Sequence, residues 1–447
     1  MPGWSKCTPA PMSLTHPAGR CEPVPRLLID PTPLRVSSAY RRMWLGTSLS
    51  SIGASLTTVA VGLQIYDLTG STFSVGLVGL CTVLPLVVLG LYGGSVVDAH
   101  DRRRVIIATS SGLLLAATAL TAQAWLDVGD VGLLYALVAI QSGLFAVNSP
   151  ARSSIIPRLL APPLLPAANA LSGLSMSTSL TVGPLLAGFL VGSWGYPGAY
   201  GVEAVLLMIA VATLLTLPDL PPEGVVRRPG LRAVLEGLAY LRIQPNLRMT
   251  FLVDLAAMVL AMPRVLFPAI GATLIGGGPT TAGILAAAIA AGSLVAGVLS
   301  GPLGRVRRQG RAVLVSVVGW GLAIAAFGVV VALSPAPDGD GTAAWSMWPA
   351  VALLMLAGAA DAVSAVFRMT ILQAATPDAL RGRLQGVFIV VVAGGPRLGD
   401  LLLGTVAELS GEAVAAIGGG LACVVVVVGL AVLAPRFAQY DARAPTP

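Results

Sequence analysis

Apolar stretches of about 20 residues recur along the whole chain, separated by short breaks that hold most of its charge, glycine and proline. A helix rises about 1.5 Å per residue, so each stretch is long enough to cross the roughly 30 Å hydrocarbon layer of a bilayer. The pattern predicts twelve spans, at about residues 43–66, 73–97, 105–125, 131–149, 168–192, 198–217, 249–272, 280–303, 312–334, 347–367, 384–407 and 413–434. Charge alternates between the breaks. Arg41, Arg42, Arg102 to Arg104, Arg152, Arg158, the arginines from 227 to 248, those from 305 to 311 and from 368 to 383, and Arg436 fall on one side. The opposite breaks have only acids, among them Asp67, Asp127, Asp130, Asp338, Asp340, Glu408 and Glu412. Basic loops stay on the cytoplasmic side, which predicts a multi-pass protein of the cytoplasmic membrane with both termini inside.

Composition agrees with this reading. The chain is 55% hydrophobic and 11% charged, against about 25% charge in soluble domains. It reads as an all-α membrane protein, and its 27 basic residues follow the loops rather than forming a nucleic-acid surface. Two histidines, His16 and His100, and four scattered cysteines offer no metal-ligand spacing and no disulfide framework. Lys6 is the sole lysine, so no Gly-x-x-x-x-Gly-Lys phosphate loop exists. No cofactor, metal or catalytic constellation is predicted, and the chain does not read as an enzyme. Residues 1–37 read as a disordered tail, 38–217 as a first six-helix half, 218–248 as a linker with a surface helix over Leu231–Leu241, 249–435 as a second half and 436–447 as a second tail.

Three motifs repeat in register between the halves. Gly94-x-x-x-Asp98 with Arg102 to Arg104 matches Gly301-x-x-x-Arg305 with Arg307, Arg308 and Arg311. Arg152-Ser-Ser-Ile-Ile-Pro157 matches Arg368-Met-Thr-Ile-Leu-Gln373, and Gly183-Pro184 matches Gly395-Pro396. Two homologous halves around a midplane cavity are the arrangement of many secondary transporters. The Gly-Pro pairs predict bends where helices cross, because proline removes a backbone donor and glycine permits close approach.

Ionisable residues at the bilayer centre cost at least about 2.5–3.5 kcal/mol each and so face a cavity or a partner. They fall almost entirely in the second half: Asp254, Arg264, Asp361, Arg397 and Asp400. Arg397 and Asp400 are three residues apart and share a helix face. These groups read either as proton carriers tuned by arginine, with the arginines free to meet an anionic substrate, or as ion pairs that tie helices together. In the first half the deepest polar groups are Gln64, Gln141 and Asn148, with Glu203 near the end of span six. The amides suit interhelical hydrogen bonds or contact with substrate.

The stretch Gly93 to Arg104 resembles the loop between helices two and three of the major facilitator superfamily, with Ala99 where that pattern usually has a base. Ser51-Ile-Gly53, Val59 to Gln64, Tyr66 to Ser71, Pro150-Ala-Arg152 with Pro157, Asn169-Ala-Leu171 and Glu236 to Arg242 resemble the drug-proton antiporter branch that includes the enterobactin exporter and macrolide efflux proteins. Asp254 to Met258, Met262 to Pro268 and Gly394 to Asp400 are similar to its siderophore-exporting side. The resemblance implies the twelve-helix major facilitator fold and proton-coupled export of a hydrophobic or amphipathic small molecule, a siderophore, antibiotic or other natural product, by a monomer that rocks between two open states. Its partners would then be the substrate, protons and the bilayer, with no nucleic acid. An importer or facilitator of the same fold is the alternative reading, and a transport-inactive receptor or scaffold a more remote one.

Gly94, Asp98, Arg102 and Arg103 are expected to form a gating loop, Asp98 bridging to the inner end of span eleven, though the arginines also serve to fix topology. Asp98→Asn is expected to impair transport while membrane insertion stays intact. Unchanged transport by an inserted Asp98→Asn protein would count against the latch.

Overall fold

The computed structural model describes residues 30–218, 239–301, 303, 306–335, 344–375 and 378–441, and side chains throughout these except at 91–99, 344, 373 and 378–393. Among the described residues there is no strand, only one isolated bridge between Arg308 and Asp441. Ten segments are long and apolar enough to cross a membrane. One of them contains the 51-residue helix Leu165–Leu215, in which Gly195 is not helical at φ 68° and ψ −174°. That positive φ suits glycine, and with Pro197 just beyond it the stretch is two helices, 165–194 and 196–215. Asp378–Ser410 is a further long helix. The architecture is consistent with the twelve predicted spans.

We number the long helices α1 (Ser38–Thr69), α2 (Thr72–Ala99), α3 (Arg102–Trp125), α4 (Val131–Leu159), α5 (165–194), α6 (196–215), α7 (Pro245–Leu274, broken), α8 (Gly278–Val298), α9 (Gln309–Ala332), α10 (Ala344–Ala375), α11 (Asp378–Ser410) and α12 (Glu412–Leu433). Local chemistry sets several ends. Ser37, Ser71, Asp101 and Asp130 cap α1, α2, α3 and α4 by accepting from backbone N–H groups of the first turn. Gly70 closes α1 in the left-handed region at φ 63°.

Helices α1 to α6 pack chiefly on one another, as do α7 to α12, and two seams join the groups: α2 on α11, and α5 on α8. Both seams depend on absent side chains. A Cβ at Gly76 or Gly79 of α2 would stand 2.6 Å from the Asp400 carbonyl oxygen or 2.5 Å from that of Arg397. On the other seam, Gly188 of α5 would meet the Pro279 carbonyl oxygen at 2.6 Å and Gly283 of α8 that of Pro184 at 2.5 Å. All four contacts lie toward the end of the bundle that holds Asp67, Gly195, Gly277 and Glu408. There Glu408 of α11 accepts from Ser71 Oγ at 2.8 Å and Phe73 N at 3.3 Å, and Glu412 of α12 accepts from Thr72 Oγ1 at 2.8 Å. The apolar core follows the same division. One cluster runs across both groups, through Val75, Val78 and Ala187 to Met258 and Ala282, whereas the far end of the first group has its own cluster around Tyr40, Ile106, Ala151 and Leu171.

The termini differ from expectation. Thr32–Val36 is helical, so the described part of the predicted tail is not all disordered, while residues 1–29 lie outside the description. Residues 435–441 dock rather than trail. Phe437 and Tyr440 are buried, and Arg307 Nη2 meets Asp441 Oδ2 at 2.9 Å. Of the predicted surface helix, 231–238 lie outside the described residues and 239–243 are helical. Helices α5 and α11 continue through Pro184 and Pro396; Gly183 supplies a close crossing, since its Cβ would stand 2.5 Å from that of Ser55 on α1.

Gly76→Val is expected to part the α2–α11 seam. Spin labels at the exposed positions Thr69 and Ser410, in a cysteine-free background, should show a longer-distance population in the variant than in the parent. An unchanged distance distribution would mean the glycine contact does not hold this end closed.

Candidate functional site

The site begins with a broken helix. The first part of α7 ends at Leu260, Ala261 and Met262 leave helical geometry, and the chain resumes as a tight turn over Pro263–Leu266 and a wide one over Ile270–Leu274. Pro263 explains the break: it lacks an N–H and forces the residue before it toward extended backbone, and Met262 sits at φ −93° and ψ 98°. Irregular backbone inside a membrane protein occurs where it is buried in protein or lines a cavity. Here the break separates two groups of charges.

The first group joins α7 and α10. Arg368 Nη1 lies 2.6 Å from Asp254 Oδ1 and its Nη2 lies 3.4 Å from Asp361 Oδ1. Asp254 and Arg368 are almost fully buried, and Asp361 is partly open at 29%. Neither Nε nor Nη1 of Arg368 makes a hydrogen bond of good geometry, so charge rather than direction holds the closer pair. One guanidinium thus serves two carboxylates and favours one of them.

The second group lies just past the break. Arg264 grips Asp400 of α11 through Nε to Oδ1 at 3.0 Å and Nη2 to Oδ2 at 2.8 Å. A two-pronged guanidinium–carboxylate contact is stronger and more directional than a single one. Arg397, the neighbour expected to pair with Asp400, does so through Nη1 at 3.9 Å, a longer contact than the one from Arg264. Asp400 also sits on the seam between the helix groups, its Cβ 3.2 Å from where a Cβ at Gly79 would be.

The first-half amides form a separate set. Gln64 and Gln123 exchange hydrogen bonds at 3.4 and 3.1 Å, and Tyr200 Oη donates to Gln64 Oε1 at 2.8 Å. Gln141 Nε2 donates to Glu203 Oε1 at 3.4 Å. Asn148 ties α4 to α3 through Thr109 Oγ1 at 2.7 Å and Ser110 Oγ at 3.0 Å. These contacts place all three predicted amides in bonds between helices of the first group. Arg102 donates to the Ser154 carbonyl at 3.1 Å and Arg103 to that of Leu215 at 2.7 Å, both inside the same group. The side chain of Asp98 and the environment of Gly94 lie outside the described residues.

Two buried arginines escape a loop-based reading. Arg152 and Arg368 were counted as loop charges, yet both are inside helices and nearly inaccessible. Arg368 is seven residues past Asp361, two turns on the same face, which was the available signal. Arg152, its repeat counterpart, donates at 3.4 Å to Ser50 Oγ and Ser110 Oγ.

The helix order and two-seam packing are those of the major facilitator fold. The fold is shared with the nucleoside transporter NupG (TM-score 0.72, 15% identity, 88% of this chain and 99% of that one) and with the peptide transporter POT in complex with alafosfalin (TM-score 0.70, 13% identity, 91% and 96%). The chain belongs to the transmembrane secretion effector family, whose model matches residues 31–447. It is 28% identical over 421 residues to the enterobactin exporter EntS of Citrobacter koseri, spanning 94% of this chain and 97% of that protein. It is 29% identical over 379 residues to EntS of Shigella boydii, spanning 84% and 87%.

Removing one partner of the Arg264–Asp400 pair leaves a charge without its strongest contact, a cost of roughly 1.5–3 kcal/mol for a charged hydrogen-bonded group. Asp400→Asn and Arg264→Gln should each lower the thermal unfolding midpoint of the purified protein, and the double variant should recover part of the loss. Strict additivity of the two effects would show that the pair is not coupled.

Proposed function

We propose that this protein is a proton-coupled exporter that moves a hydrophobic or amphipathic small molecule out across the cytoplasmic membrane by alternating access. The observation that carries the reading is Arg368 held between Asp254 and Asp361. A single guanidinium cannot pair fully with two carboxylates at once, so a proton on one acid releases the arginine to the other. Such a swap makes the charge state of the site depend on proton supply, and the partial opening of Asp361 provides the access. The broken α7 lets the same helix carry this exchange on one side and the seam-holding Arg264 on the other.

Orientation follows from loop charge. The end with Asp67, Glu408 and Glu412 has no arginine or lysine and is assigned to the outside by the positive-inside rule, with both termini in the cytoplasm. The seams meet at that end, so this conformation is closed outward. Protons entering from outside gain about 2.3 kcal/mol per 100 mV of membrane potential, which supports outward movement of a neutral substrate. The names of the EntS relatives support a siderophore-type cargo, and enterobactin is the natural probe.

In everted membrane vesicles with an acidified lumen, enterobactin is expected to dissipate the proton gradient and to accumulate in the lumen. Asp254→Asn and Asp361→Asn should bring both signals close to background while the protein remains inserted. Coupled transport undiminished in both variants would overturn the carboxylate assignment, and uptake into intact cells in place of extrusion would select an importer.

A further inference from the structure

The first group of helices contains an acid that the exchange around Arg368 does not use. Glu203 on α6 is 2% exposed and its Oε2 has no hydrogen-bond partner. It lies eight residues beyond the non-helical Gly195, about 12 Å along the helix, well inside the span. Its environment is neutral. From α4, Gln141 donates to Oε1 at 3.4 Å. From α1, the hydroxyl of Thr57 lies beside the carboxyl, and Gly53 leaves the space that the Glu203 side chain fills, since a Cβ there would stand 3.1 Å from Glu203 Cγ.

The charged and titratable groups of the surrounding helices stay distant or uncharged. On α6 itself Tyr200 precedes Glu203 by three residues and Tyr196 by seven; α3 contributes Gln123. The bases of α1 and α3, Arg41, Arg42 and Arg102 to Arg104, are at the far end of the bundle. On α4, Arg152 is eleven residues past Gln141, about 16 Å away along the helix, and Tyr135 donates to the Ser74 carbonyl. The remaining acid of α1, Asp67, is exposed and accepts from Tyr196 Oη. Tyr196 and Tyr200 stack at 6.5 Å, so Asp67, Tyr196, Tyr200 and Glu203 form a polar stripe from the surface to the buried acid.

A carboxylate this deep with only neutral neighbours carries the full cost of lost hydration, whereas the protonated acid does not. We propose that Glu203 is a proton-binding site, occupied in this conformation and reached from the Asp67 end of the bundle, and that it is the contribution of the first six helices to coupling. Neutral Gln141 and Thr57 are positioning residues that hold the acid without supplying a charge. The inference rests on the proton-coupled reading above and adds a second site, in the first group of helices.

The test is infrared difference spectroscopy of the full-length protein in lipid, titrated with pH and without any substrate. The expected spectrum has a protonated-carboxyl stretch that Glu203→Gln removes and that Asp254→Asn and Asp361→Asn leave in place. Glu203→Gln keeps the shape and donors of the protonated acid, so the fold should be retained, as size-exclusion profile and thermal midpoint will report. In everted vesicles with enterobactin, the same variant should lose substrate-linked proton release while its exchange of labelled for unlabelled enterobactin persists. A Glu203→Gln spectrum that keeps every protonated-carboxyl band of the parent, or a parent with no such band, overturns the site. Parent vesicles that carry enterobactin without moving protons overturn the coupled reading instead, and the spectrum then decides separately whether Glu203 binds a proton.

Discussion

Arginine inside a membrane bundle keeps its charge and is met most strongly by a carboxylate, and α7 is where this protein makes both of its buried arginine–carboxylate contacts between helices among the described residues. Asp254 before the break takes Arg368 from α10, and Arg264 after the break takes Asp400 from α11. Had α7 remained an unbroken helix, the ten-position step from Asp254 to Arg264 would be set by one rigid rotation per residue. Pro263 uncouples them. Each charge then faces its own partner, and the second half is cross-braced through one interrupted element.

The same region touches the seam. Gly76 and Gly79 on α2 allow the backbone at Arg397 and Asp400 to approach closely, so the Arg264–Asp400 pair lies directly behind the contact between the helix groups. A change at the pair is therefore a change at the seam. On the opposite seam, Gly188 and Gly283 provide the same close approach. The hydroxyl-to-carboxylate contacts of Ser71 and Thr72 with Glu408 and Glu412 close the acidic end over both.

The two halves carry their polar groups differently despite their common pattern. The repeat places a buried arginine at matching positions, Arg152 and Arg368, but only the second has carboxylates, while the first donates to serine hydroxyls. Besides Arg152, the described interior of the first half holds amides, phenols and the acid Glu203. Hydrogen bonds of that kind hold helices together in hydrocarbon at modest gain. They surround Glu203 with neutral groups, a different arrangement from the salt bridges at Asp254 and Asp400 in the second half.

Much of this was legible in the chain itself. Apolar length suffices for the membrane class and the helical architecture, because hydrocarbon thickness acts on local sequence. Depth of charge was legible as well, since Asp254, Arg264, Asp361, Arg397 and Asp400 stand out against apolar neighbours. Partnership was not. Spacing along one helix pointed to Arg397 for Asp400, and only the approach of α7 to α11 brought in Arg264 as the nearer partner. Arg368 looked like a loop residue until the length of α10 carried it inside, and Gln64, Gln141 and Asn148 gained their partners from helices far away in sequence. The rotation of each helix about its axis decides which side chains meet, and a span that is apolar all round carries no signal for that rotation; only packing against its neighbours sets it.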